Sequence, residues 1–154
     1  MVSGNCKRIA MFNLNQTDVR TFFFDVFEKS NSGVTLSDLE KIALSVIMEH
    51  PEYHQVLHNR QKYLDYVWTV EMGETNPFLH LSLHLSLIEQ LSIDQPHGIA
   101  ALYSELSNKL QDKHSASHEL IDCLGEMLWQ AQRNNQAPDV TVYFKCINQK
   151  LGKE

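Results

Sequence analysis

No stretch of the chain approaches the roughly 18 apolar residues that a membrane-spanning helix needs, and no run of lysine or arginine occurs. The first absence excludes a helical membrane span. The second removes the clustered cations that displace counterions from phosphates. With 13 basic against 19 acidic residues and a formal net charge of −6, nucleic acid is not an expected partner. The opening stretch MVSGNCKRIAMF has no long apolar region and no small-residue cleavage site, so it does not read as a signal peptide. Only three cysteines are present, Cys6, Cys123 and Cys146, with no CxxC spacing. That odd count predicts reduced thiols rather than a disulfide framework, and with them a cytoplasmic protein.

Several chemical signatures are missing too. There is no GxSxG, no P-loop and no GxGxxG, and no HExxH in which a glutamate would serve as general base beside two zinc ligands. No ExxH spacing of the kind used by di-iron carboxylate bundles accompanies the histidines. Alternating apolar and polar residues with hairpin turns between them are also lacking, which leaves no convincing strand pair.

What is present is helical. At 154 residues, 43% hydrophobic and 21% charged, the chain is long enough for one domain with a proper core. Residues 1–10 follow no periodic template and read as a loose extension ahead of Met11, with residues 11–154 as a single helical domain. Asn15 or Thr17 can cap a first helix carrying Val19, Phe22, Phe23, Val26 and Phe27 on one stripe, ended by Gly33 in the left-handed conformation. Ser37-Asp-Leu-Glu40 is a capping box for a second helix that Pro51 should stop. Residues 52–72 suggest short helical pieces broken by turns, closed by Gly73. Asn76-Pro77 opens a helix, PFLHLSLHLSLIEQL, that is apolar almost all round. Further helices are expected over about 99–110 and on to Arg133, with a last one capped by Asp139 or Thr141. The fold class is all-α: a helical bundle of five to seven helices with short connections. Its expected core is Phe23, Phe27, Ile42, Val46, Leu81, Leu87, Leu91, Leu124 and Leu128.

The candidate chemistry lies in the histidines. Among the eight are three separate HxxxH pairs: His50 with His54, His80 with His84, and His114 with His118. Residues four apart on a helix share a face, so each pair can offer two imidazoles to one metal. Imidazole suits zinc, iron, nickel and copper, and bundle cores are where facing helices build such sites. At about 100° per residue, His80 and His84 fall within the arc of Leu81, Leu87, Ile88 and Leu91 and point at the core. His114 and His118 lie on the flank of the Leu120/Leu124/Leu128 stripe, beside Gly125. His50 and His54 straddle Pro51, which puts their helical geometry in question. The plain reading of all six is core and surface histidines hydrogen-bonded to carbonyls, hydroxyls or carboxylates.

At TNPFLHLSLHLSLIEQLSIDQPHGI (75–99), HELIDCLGEMLWQAQRN (118–134), MFNLNQTDVRTFFFDVF and EHPEYH, the chain resembles a proteobacterial family catalogued as domain of unknown function 1841. The likeness covers residues 11 to about 150. It implies a stand-alone bacterial protein, supports a single domain, and supplies no mechanism. Sequence alone therefore points to a helical-bundle protein holding a divalent metal such as zinc or iron through His80 and His84, completed by His114 and His118 or by a histidine (His50, His54) or carboxylate of the EHPEYH segment. The alternative is an interaction or homodimerisation module in which the histidines serve only the fold. Enzymatic activity is not decided by these residues.

Overall fold

The computed structural model describes residues 15–69 and 75–153; the expected N-terminal extension and the closing role of Gly73 fall outside them. The regular secondary structure of the described residues is all helix, with no strand among them. They form α1 (Gln16–Asn31), α2 (Asp38–Met48), α3 (His54–Leu57), α4 (Arg60–Tyr63), α5 (Pro77–Ile93), α6 (Ile99–Leu110), α7 (Lys113–Arg133) and α8 (Val140–Lys150), with a 3-10 turn at Pro51–Tyr53. The helix count exceeds the expected five to seven because the 54–63 stretch breaks at Asn59 into two four-residue helices.

The boundaries are set by the chemistry that the sequence advertises. The Asn15 side chain accepts from the Asp18 amide at the start of α1. Ser37 and Glu40 form a reciprocal capping box at α2, each side chain bonding the other's backbone N–H. Asn76 accepts from the Phe78 and Leu79 amides, with Pro77 at the first helical position. Asp139 caps α8 through the Thr141 amide. Each of these bonds satisfies a helix-terminal N–H that has no partner within its own helix. Gly33 sits at φ +71, the left-handed geometry that ends α1.

The described residues cluster into two compact units, one up to Leu85 and the other from Ser86. In the first, α1 packs against α2 and α3. Its core holds Phe23, Phe24, Val26, Phe27, Ala43, Val46, Ile47, Leu57, Phe78, Leu81 and Leu85. One charged residue is buried with them. Arg20 is 4% exposed, and its Nη1 lies 3.1, 2.9 and 2.8 Å from the carbonyl oxygens of Tyr63, Leu64 and Tyr66. In the second unit α7 packs against both α6 and α8, burying Leu106, Leu120, Leu124, Tyr143 and Ile147. Six of the nine expected core residues are buried; Ile42, Leu91 and Leu128 are only partly so.

The cysteines correct the sequence reading. Cys123 on α7 and Cys146 on α8 form a disulfide with Cα atoms 5.5 Å apart. Spacing could not reveal it, because the two thiols meet only once the 134–139 loop has folded α8 back beside α7. Titration of thiols in the unreduced, denatured protein should therefore return one per chain, from Cys6; three would show that the bond does not form.

Candidate functional site

The site in the first unit starts from a helix end. Four carbonyls at a helix C-terminus lack intrahelical partners, and Pro51 keeps His50 out of helical geometry, at φ −125 and ψ 66. The chain therefore leaves α2 at a sharp angle, and two histidines turn back onto it. His50 Nδ1 lies 2.9 Å from the Val46 carbonyl, and His54 Nε2 lies 2.9 Å from the Ile47 carbonyl. A carbonyl oxygen only accepts, so each of these ring nitrogens carries the proton. In a neutral ring the other nitrogen then bears the lone pair: Nε2 in His50 and Nδ1 in His54.

That assignment separates the two residues. His50 is 2% exposed, and its Nε2 lies 3.1 Å from Nε2 of His80. One turn further along α5, His84 is 4% exposed, with its Nε2 also 3.1 Å from Nε2 of His80. Ring centroids of the trio are 4.6–4.9 Å apart. Tyr53 covers His50 in a nearly parallel stack, centroids 5.4 Å apart. Burial raises the Tyr53 phenol above its ordinary value, so at neutral pH it is an uncharged wall. His54 faces elsewhere, its ring against Phe27 at 5.3 Å.

The geometry constrains the chemistry. His80 Nε2 carries either one proton or one lone pair, so it can make a linear hydrogen bond to only one of its two imidazole neighbours. A metal ion accepts lone pairs from all three at once. Tetrahedral metal–nitrogen bonds of about 2.0–2.1 Å place ligand nitrogens about 3.3 Å apart, close to the 3.1 Å observed. The hydrogen bond from His50 Nδ1 to a backbone carbonyl is also the support that metal-bound histidines usually have, fixing the tautomer and aiming the ring.

The third pair belongs to the second unit. His114 is exposed and His118 partly buried, with ring centroids 4.3 Å apart at the start of α7. Asp112 caps that helix through the amides of His114 and Ser115, and its hydrogen bonds, led by that from the Ser115 hydroxyl, hold its carboxyl below the ordinary range. Sequence reasoning placed His80 and His84 toward the core, and His84 is buried there. It undervalued His50, whose straddling of Pro51 argued against the very turn that aims it. The contributions of Tyr53 and the Val46 carbonyl were not foreseen. The first had a signal in the i, i+3 spacing from His50; the second, being main chain, had none.

No helix among the described residues is long and apolar enough to cross a membrane. No curated protein and no solved structure shows significant similarity to the chain. Residues 15–149 match a family model, and the chain accordingly belongs to the family described as domain of unknown function 1841.

Proposed function

We propose that the protein binds one divalent transition metal, zinc or iron, through Nε2 of His50, His80 and His84. The observation that carries this reading is the position of His80 Nε2, 3.1 Å from two other imidazole nitrogens. Three nitrogen ligands leave one coordination position open, the arrangement that permits activated-water or oxygen chemistry. His54 remains a cap of α2. The Cys123–Cys146 disulfide favours an oxidising compartment over the cytoplasm that the thiol count suggested.

Metal analysis of protein purified without a histidine tag tests the reading directly. About one equivalent of metal per chain is expected, removed by a strong chelator with a fall in melting temperature. Ligating imidazoles must be neutral, so protons compete with the metal and affinity should fall on acidification. Protein that stays metal-free after incubation with zinc and iron(II), and melts identically with chelator, would reject the site.

The rival reading, a homodimerisation module, draws on apolar side chains left in solvent: Leu79 on α5 is 53% exposed and Trp129 on α7 is 52% exposed. Sedimentation of the apo and loaded protein distinguishes the two, since a metal site within one chain predicts no change in mass.

A further inference from the structure

A divalent metal held by the trio meets three ligands that bring it no charge. A neutral imidazole offers a lone pair and nothing more, so the ion keeps its full positive charge. The surroundings make that charge costly. His50 is 2% and His84 4% exposed, and Ile47 and Leu81, on the same helices, are fully buried. The second ring nitrogen of His50 donates to the Val46 carbonyl, an uncharged acceptor. Tyr53 stacks on His50 with 4° between the ring planes, so it turns the face of its ring to that ligand rather than its hydroxyl. The same tyrosine stands edge-on to His80, centroids 5.9 Å apart. The acidic residues that flank His50 in the chain, Glu49 and Glu52, are exposed, where water and salt screen them.

We infer that the open fourth position of this metal is a binding site for a small anion, taken end-on through one atom. The inference deepens the metal reading and rests on it. Charge, number and access each narrow the occupant. A buried ion whose ligands leave its charge unbalanced gains most from a negative fourth ligand, because attraction strengthens as the local dielectric falls. A neutral donor leaves the charge as it was, and a cation is repelled. Three nitrogens on a tetrahedral ion leave a single position, enough for one donor atom and too few for a chelating group. Only His80 of the trio is partly exposed, so the ligand enters on the side of its ring. Enclosure of the other two histidines favours small anions such as azide, thiocyanate or formate.

Cobalt(II) accepts the same imidazole donors as zinc and, unlike zinc, absorbs visible light, so its spectrum reports its own ligands. Titration of the cobalt-loaded chain with azide should change that spectrum saturably, with about one azide bound per cobalt. Imidazole, a neutral donor, should bind at least about tenfold more weakly, because it gains no Coulomb attraction. His50→Gln should lose both the cobalt band and its response to azide. Cobalt that binds but whose spectrum azide leaves unmoved would overturn the inference while the metal site stands. Imidazole binding as tightly as azide would overturn it too, and an azide-sensitive band that survives in His50→Gln would place the anion elsewhere. A chain that takes up no cobalt rejects the metal site itself, and the inference with it.

Discussion

His84→Ala should reduce bound metal from about one equivalent per chain to a level near zero, and the same substitution at His97 should leave it unchanged. His84 is 4% exposed and one edge from His80, whereas the side chain of His97 is 94% exposed, beside Asp94 at 3.2 Å. Elemental analysis of the two variants reads the difference directly. The loss should also lower the melting temperature, because a ligand that binds only the folded state stabilises it by mass action, about 4 kcal/mol when present at a thousand times its dissociation constant. A His84→Ala protein that retains full metal would remove His84 from the site.

The second large effect belongs to Arg20. Arg20→Met keeps the length and apolar stem of the side chain but removes the donors that reach the carbonyls of Tyr63, Leu64 and Tyr66. Stranding a buried acceptor costs about 1–3 kcal/mol, so a total of about 3 kcal/mol is expected once the loop relaxes and water reaches part of it. Burial pushes the guanidinium's pKa down, with Asp65 opposing, yet arginine stays charged at any pH the fold survives. The interaction should therefore show no titration of its own between pH 5 and pH 9. Urea denaturation reads the energy. A loss under 1 kcal/mol would show that the 63–66 segment is held by its rings instead.

Most of the fold was legible because helix signals are local. Asn15, Ser37, Asn76 and Asp139 each announce a helix within a few residues, and the phenylalanines of α1 repeat at the helical period. The 52–69 stretch was harder. Its helices are four residues long, too short to show a period, and what shapes it is Arg20, more than forty positions away along the chain. The disulfide failed for the same reason: 23 residues separate its partners, and only the α7–α8 packing brings them together. Within the site, the two histidines of α5 were readable from their spacing, because one helix carries both. His50 was not. Its place depends on a proline turn whose outcome is three-dimensional.

That turn has a consequence for how the site tolerates change. The groups that aim His50 and His54 are the carbonyls of Val46 and Ile47, which every amino acid possesses. Substitution at position 46 can loosen the packing but cannot delete the acceptor. What the ligand depends on is the count of residues between helix end and proline, so a single inserted or deleted residue around Glu49 should disarm His50 where many side-chain exchanges would pass unnoticed.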